Sequence, residues 1–288
     1  MRERAAMAVV LLATLFLASP AQGQVLDGTL LKVKKSGTLT LGYRDASPPF
    51  SFARPDGRPA GYSIDLCIVV AGAVQKKLGL ADLKLAWVPI GAENRLQAVV
   101  DGKVDLECST TTASLSRQER VDFSLMTFVD GAGLLTRTGT TVRSAADLAG
   151  KRIAIIPETT TEKALASALR EQFVTATMVR VKDHALGLAA LDEGTVDAFA
   201  SDRSILAALA LTSKDPKRFA LSSQGFSYEP YGLMMRRNDA AFRLVVNRAL
   251  AELYRSGEIA PLYERWFGAL GKPGEALQAM YFLNALPE

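Results

Sequence analysis

Two stretches of this chain repeat one pattern and constrain its fold more than any other feature. Residues 96–109 read LQAVVDGKVDLECS and residues 188–201 read LAALDEGTVDAFAS, with a constant offset of 92 residues. Each copy predicts a short apolar helix, a glycine that ends it, and a short strand that ends in a hydroxyl residue. The repeat therefore indicates two similar α/β lobes. Because ligands of open α/β sheets bind beyond the carboxyl ends of the strands, two facing lobes would hold a small molecule between them.

Residues 1–23 are typical of a secretory signal peptide. Arg2 and Arg4 precede an apolar run over residues 5–17, which is too short to span a bilayer, and small residues favour cleavage near Gly23. A membrane anchor is the alternative interpretation of this segment. Cleavage predicts an exported mature chain.

The composition favours a folded protein and argues against several functional classes. Hydrophobic residues make up 49% of the 288 residues and charged residues 22%, which is enough for two packed lobes. The formal net charge is +4 without a basic run, so nucleic-acid binding is not expected. The chain has one histidine, no spacing typical of metal ligands and no G-x-S-x-G motif, so neither a cofactor nor a metal site is expected.

The two cysteines leave two interpretations open. Cys67 lies in an apolar pattern of helical spacing over residues 64–78, and Cys108 lies in the apolar strand of the first repeat copy. This placement favours two buried thiols. A disulfide, which an exported chain permits, is the alternative.

The densest polar cluster directly follows the strand of the first repeat copy. It covers residues 109–124 and reads STTTASLSRQERVDFS. The hydroxyl groups at its start should face the cleft, and one helical turn would bring Arg117 next to them. A planar guanidinium beside hydroxyl and amide groups suits a carboxylate. A solvated loop is the alternative interpretation.

At these residues the chain resembles a known family. The motifs that carry the resemblance are Thr110, Thr112 and Arg117 with the following VDFS, GYRDASPPFSF at 42–52, GYSIDL at 61–66, LLTR at 134–137 and YGLMMRR at 231–237. In this combination the chain is similar, over about residues 30–270, to the family 3 extracytoplasmic solute-binding proteins, the periplasmic receptors of polar amino-acid ABC transporters. It departs from the family pattern at Ser63, where an acid is usual, and at Glu158, where glycine is common.

The resemblance implies an α/β fold of the type II periplasmic-binding-protein class, in which each of two lobes is a mixed sheet flanked by helices. Residues 24–131 and 227–288 would form a discontinuous first lobe, and residues 132–226 the second. The ligand would lie in the interlobe cleft of a monomer in the periplasm. The implied partner is an ABC transporter permease of the inner membrane, which would receive the ligand without any enzymatic step.

The resemblance also implies which residues clamp an amino acid. Arg117 would pair with the α-carboxylate, assisted by Thr112 and by Thr160 at a helix N-terminus. Thr110 and Asp202 would bind the α-ammonium group. Asp202 also follows the second repeat strand directly, and its alternative role is the N-cap of the helix that starts at the next residue.

Specificity would then depend on Arg44, Arg95 and His184. Arg95 and His184 each follow a predicted helix N-cap, Asn94 and Asp183, where a cation opposes the helix dipole unless an anion lies nearby. Three potential cations besides the clamp arginine predict a ligand with two carboxylates. Ordinary surface positions are the alternative for each of the three.

The segments NR at 94–95 and KDH at 182–184 match the glutamate/aspartate-binding branch, and the choice between these two ligands stays open because one methylene changes affinity little. Two other functions remain as alternatives. One is a cyclohexadienyl-type dehydratase on the same fold, for which Glu158 in the cleft would act as general acid. The other is a sensor for another amino acid.

Overall fold

The computed structural model describes residues 26–140 and 142–288, so the predicted signal peptide lies outside the described residues. In chain order the strands are β1 (Thr38–Tyr43), β2 (Ala46–Ser47), β3 (Ser51–Ala53), β4 (Pro59–Ala60), β5 (Lys84–Pro89), β6 (Leu106–Cys108), β7 (Val121–Asp130), β8 (Ala132–Arg137), β9 (Arg152–Ile155), β10 (Thr177–Arg180), β11 (Ala198–Asp202), β12 (Phe219–Leu221) and β13 (Glu229–Arg236). The α-helices are α1 (Gly28–Ser36), α2 (Tyr62–Leu78), α3 (Arg95–Val100), α4 (Leu115–Gln118), α5 (Thr160–Glu171), α6 (His184–Glu193), α7 (Arg203–Thr212), α8 (Ala240–Arg255), α9 (Ile259–Phe267) and α10 (Glu275–Asn284).

Two five-stranded mixed sheets share one plan. Their strand orders are β5-β1-β6-β13-β7 and β10-β9-β11-β8-β12. In each sheet the first three strands are parallel, and the fourth runs antiparallel to the third. The repeat strands β6 and β11 occupy the same third place. The fold class predicted from the repeat and the resemblance, two mixed α/β lobes, is confirmed.

The chain crosses between the two sheets twice, at neighbouring points. It passes from β7 to β8 through Gly131 and returns through residues 222–228 to β13. A Cβ atom on Gly131 would lie 2.7 Å from the backbone oxygen of Ser227, so the two crossings touch and leave no space for a side chain there. We propose these crossings as the hinge, with the lobe limits at residues 131/132 and 226/227 as the sequence predicts.

Local capping differs between the two repeat helices. In α6 the side chain of Asp183 accepts a hydrogen bond from the backbone N–H of Leu186 at 2.9 Å, so this predicted cap is confirmed. The predicted cap at Asn94 is wrong, because its side-chain oxygen accepts instead from the N–H of Gly91 at 2.9 Å. This reversed bond closes the turn that delivers Arg95 to the first position of α3.

The first lobe has an aromatic core completed from the C-terminal part of the chain. Phe50 contacts Tyr62, Phe128, Tyr231 and Phe267 edge to face, with ring centroids 4.8–6.1 Å apart. These rings come from segments far apart in sequence. Their packing joins the C-terminal helix α9 to the sheet that contains β1. Among residues 26–140 and 142–288, no helix is long and apolar enough to span a membrane.

The cysteines form a disulfide, so the favoured prediction of two buried thiols is wrong. Cys67 on α2 bonds to Cys108 on β6, with their Cα atoms 6.1 Å apart and both side chains fully buried. Periodicity correctly placed each cysteine in the core, but it carries no information about which buried residues of a helix and a strand face each other. The bond ties β6, whose end forms one wall of the cleft, to α2.

Candidate ligand-binding site

All eight residues predicted for the site line one cavity at the strand ends between the sheets. The cavity encloses about 400 Å³, with the open solvent at its mouth included. Its wall consists of Arg44, Arg95, Thr110, Thr112, Arg117, Ile156, Thr159, Thr160, Thr161, His184, Ala200, Ser201 and Asp202. The residues before 140 come from the first sheet and its loops, and the residues after 150 from the second. The site is therefore built by both lobes.

Arg44 and Arg95 are buried, which contradicts the alternative that they are surface charges. Their exposed fractions are 7% and 3%. Arg95 donates from its guanidinium to the carbonyl of Ala92 and, at 3.2 Å, to the carbonyl of Glu158 in the opposite lobe. Burial, with the charges of Arg117 and Arg44, lowers the pKa of Arg95 to about 9. The group therefore stays positive at neutral pH. Its hydrogen bonds among residues 26–140 and 142–288 go to carbonyl oxygens and not to a carboxylate.

His184 is buried and neutral, so the prediction that it adds a third cation is wrong. Its Nδ1 lies 3.1 Å from the carbonyl oxygen of Ala46, which only accepts, so Nδ1 carries the proton. Its Nε2 then accepts from the hydroxyl of Ser201 at 3.0 Å. Burial and then the charge of Arg44 lower the pKa of His184 to about 3. The sequence correctly predicts that the histidine lies at the cavity. It does not predict the loss of water around the ring, which depends on the packing of β2 against it.

Arg117 and the threonines meet on the other side of the cavity. Arg117 donates from Nη1 to the carbonyl of Thr112 at 2.9 Å, and burial lowers its pKa. The hydroxyl oxygens of Thr112 and Thr160 lie 3.1 Å apart, one from each lobe. Thr159 caps α5 through a hydrogen bond from the N–H of Glu162, which leaves the first N–H groups of the helix free for an anion.

Asp202 occupies the N-cap position of α7 but does not cap the helix with its side chain. The hydroxyl of Thr161 lies beside it, with Oγ1 3.4 Å from a carboxyl oxygen. Burial, with the charges of Asp130 and Glu229, raises the pKa of Asp202 to about 8. The carboxyl is therefore mostly protonated at neutral pH in the ligand-free protein. Thr110, the other residue predicted to bind an ammonium group, is half-buried in the same wall.

Glu158 does not reach into the cavity. Its side chain is exposed, and its backbone has a positive φ of 61°, a conformation that favours glycine. The backbone thus keeps the turn conformation that is typical of glycine, although the residue here is glutamate. Its backbone N–H donates a hydrogen bond to the side-chain carboxylate of Glu162 at 3.0 Å. The proposed general acid of a dehydratase is therefore wrong at this residue.

Two buried carboxyl groups at the site were missed by the sequence analysis. Glu107 is fully buried on β6; burial raises its pKa, while the charges of Arg95 and Arg44 oppose this change. The repeat itself carried a signal for it. At the offset of 92 residues, Phe199 and Gly187 stand in place of Glu107 and Arg95, and the ring of Phe199 fills the space above Gly187. An apolar pair in one copy thus corresponds to an arginine and an acid in the other.

The second missed group, Glu229, has no such signal. It starts β13 at the second crossing, and its side chain is 1% exposed. Nothing in the pattern EPYGLMM distinguishes this acid from a solvated residue at the edge of a strand. The fold of the first lobe places its carboxylate against Thr112, and the approach of the second lobe adds Thr160.

The cavity is suited to a small anion. Three buried or half-buried arginines line it together with a mostly protonated carboxyl and a neutral histidine. The arginines outnumber the two buried carboxyl groups beside the cavity, Glu107 and Glu229, so positive charge is in excess. Planar guanidinium groups bind carboxylates with two parallel hydrogen bonds. Within the described ranges 26–140 and 142–288, no cluster of acidic, histidine and cysteine side chains is arranged to hold a metal ion.

The chain is similar in sequence and in fold to known proteins. The sequence profile of the bacterial extracellular solute-binding proteins, family 3, matches residues 39–269. The chain is 37% identical to the L-glutamate/L-aspartate-binding protein of Pseudomonas aeruginosa, over 87% of this chain and 83% of that protein. It is 34% identical to the glutamate/aspartate import solute-binding protein of Salmonella typhimurium, over 86% and 81% of the two chains. Among solved structures, an ancestral amino-acid-binding protein described as a precursor of cyclohexadienyl dehydratase matches with a TM-score of 0.73 and 28% identity, over 83% of this chain and all of that chain.

Proposed function

Because this chain belongs to the bacterial extracellular solute-binding proteins of family 3, we propose that it is the binding protein of an ABC importer for an acidic amino acid, L-glutamate or L-aspartate. The observation that carries the proposal is the burial of Arg44 and Arg95 beside Arg117. One α-carboxylate needs only one guanidinium. The two further buried cations share one nearby buried carboxyl, Glu107, whose pKa is raised by burial, so a second carboxylate on the ligand would balance their charge.

The proposed roles follow the side of the cavity on which each residue lies. Arg117 and the backbone N–H groups at the N-terminus of α5, at Thr160, bind the α-carboxylate, and Thr112 lies next to them. Asp202 and Thr110 bind the α-ammonium group. Arg44 and Arg95 bind the side-chain carboxylate, and the neutral His184 forms the wall behind them and orients the hydroxyl of Ser201.

The proposed cycle is lobe closure without chemistry. The exported chain, cleaved near Gly23, works as a monomer in the periplasm, where one lobe binds the amino acid and the other closes on it about the hinge at Gly131. The closed form is then recognised by an inner-membrane permease, which imports the ligand. A dehydratase is not favoured, since the side chain of Glu158 points to solvent.

The proposal is tested by titration calorimetry of the mature, ligand-stripped protein with L-glutamate, L-aspartate, L-glutamine and L-arginine. We expect tight binding of the two acidic ligands. Glutamine leaves a buried arginine unpaired, which costs about 2–5 kcal/mol and weakens binding about 30-fold to several thousand-fold. Equal competition by glutamine would contradict the roles of Arg44 and Arg95. Failure of all four ligands to bind would contradict the receptor proposal itself.

We further expect binding of glutamate at pH 7 to release close to one proton from Asp202. In the free protein the pKa of Asp202 is raised to about 8, chiefly by burial, so the carboxyl is mostly protonated at pH 7. The ligand's ammonium group favours the charged form and lowers this pKa. Affinity should therefore rise as the pH increases from about 6 to 8, and proton release should fall toward zero above pH 9.

The proton release is measured by calorimetry at pH 7 in two buffers with different enthalpies of ionisation. Asp202→Asn is the matched variant, because it keeps the shape of the side chain but has no proton to release. We expect its binding enthalpy to be independent of the buffer. The same buffer independence in the wild-type protein would show that Asp202 does not change its protonation on binding.

A further inference from the structure

Glu229 lies where the returning crossing enters the first sheet. It is the first residue of β13 and pairs in register with Asp130, the last residue of β7. Each of the two strands at the proposed hinge thus carries an acid at the paired position. Asp130 accepts a hydrogen bond from the backbone N–H of Ser204, on α7 in the second lobe, at 3.1 Å. Glu229 is buried at this point, against two threonines of the cavity wall.

The carboxylate of Glu229 receives hydroxyl groups from both lobes on a single oxygen. The hydroxyl of Thr112, in the first lobe, donates to Oε2 at 2.5 Å, and the hydroxyl of Thr160, at the start of α5 in the second lobe, donates to the same atom at 2.6 Å. The hydroxyl of Ser227 donates to Oε1 at 2.7 Å. These distances are typical of charge-assisted hydrogen bonds, which are stronger than bonds between neutral groups.

This arrangement has two consequences for the cavity. The hydroxyl hydrogens of Thr112 and Thr160 are directed to Glu229, so each oxygen turns its lone pairs away from that carboxylate. The ligand's α-carboxylate then has to be held by the guanidinium of Arg117 and the free N–H groups at the start of α5. In addition, Thr112 and Thr160 can donate to the same atom only when the lobes are closed.

We propose that Glu229 is a positioning residue that joins the two lobes by binding Thr112 and Thr160 together, so that part of the closed state is held by the protein alone. The effect of Glu229 on ligand binding rests on the proposed function. Its physical basis, however, is a contact between protein groups, which exists whatever the ligand is. Loss of Glu229 should open the lobes and speed ligand release, while association changes little.

The test measures lobe separation in the ligand-free, full-length mature protein. Spin labels on Lys103→Cys in the first lobe and Glu171→Cys in the second report the distance distribution by pulsed electron paramagnetic resonance; both native side chains are exposed, and the native cysteines are paired. We expect Glu229→Ala to lower the closed-to-open ratio about tenfold or more. Thr160→Val, which removes only the hydroxyl from the second lobe, should have a similar effect.

The double variant separates a direct contact from a general effect on folding. If Glu229 acts through Thr160, combining the two substitutions should open the lobes little further than either one alone. Additive effects, an unchanged distribution in Glu229→Ala, or a ligand-free wild-type protein without a closed population would each overturn the proposal. Glu193→Ala, which removes an exposed carboxylate of the second lobe, is the matched control and should leave the distribution unchanged.

Ligand kinetics then connect the contact to binding. For glutamate we expect Glu229→Ala to raise the dissociation rate about tenfold, with the association rate within about threefold of wild type. A loss confined to association would contradict the proposed joining of the lobes. The distance measurement needs no ligand, so it tests the role of Glu229 even if acidic amino acids do not bind. Failure of that role and failure of the proposed function can therefore be distinguished.

Discussion

Arg117→Ala is expected to weaken binding of every amino acid about 150-fold to several thousand-fold. The reason is that the α-carboxylate is common to all amino acids, and Arg117 is the guanidinium proposed to pair with it. Removal of one partner of a largely buried charge pair costs about 3–5 kcal/mol, because the other charge stays buried without compensation. The measurement is calorimetric titration with glutamate, aspartate and glutamine.

Arg120→Ala is the matched control for this variant. Arg120 lies three residues further along, is exposed, and donates to the side chain of Gln97 outside the cavity. We expect its affinities to equal those of the wild-type protein. If Arg117→Ala retained the binding of glutamine while losing that of glutamate, Arg117 would belong to the side-chain subsite, and its assignment to the α-carboxylate would be wrong.

Arg95→Ala should instead weaken acidic ligands selectively. We expect affinity for glutamate and aspartate to fall about 30-fold or more, because their side-chain carboxylate loses a buried cationic partner. Affinity for glutamine should stay within about threefold of the wild-type value. The measured quantity is the ratio of the dissociation constants for glutamine and glutamate, which should fall toward one.

Glutamine also serves as the internal control in this experiment. Arg95 donates to the carbonyl of Glu158 across the cleft, so its removal also deletes a contact that favours closure. A general loss of closure would weaken glutamine and glutamate equally and would contradict a role in specificity. Lys103→Ala, which removes an exposed cation shortly after α3, should change neither affinity.

Much of the architecture follows from local sequence patterns. The repeat of helix, glycine and strand predicted two matching units, and β6 and β11 take the same place in two sheets of the same plan. Since a strand end followed by polar residues faces the cleft in such sheets, Arg44, the threonines after β6 and Asp202 could be assigned to one site. Motif resemblance supplied the remaining site residues, including Arg95 and His184.

The same reasoning could not predict the partner of an individual side chain. Helical spacing predicted that Cys67 is buried, and an apolar strand pattern predicted the same for Cys108. Their bond, however, depends on how α2 is rotated over β6. The side chain of Asn94 accepts a hydrogen bond from the N–H of Gly91 in the preceding turn instead of capping its helix. In both cases the residue type was informative, and the partner was set by packing.

The sequence by itself determined the two α/β lobes, the strand ends that carry the cleft residues, and the excess of arginine among them. The tertiary structure alone decided which of those groups are charged and which bind each other. Closing two lobes removes water from His184 and Asp202 and brings the threonines of both lobes to Glu229. Desolvation and contacts between distant segments depend on the whole packed arrangement, because the free energy of a charge depends on everything that surrounds it.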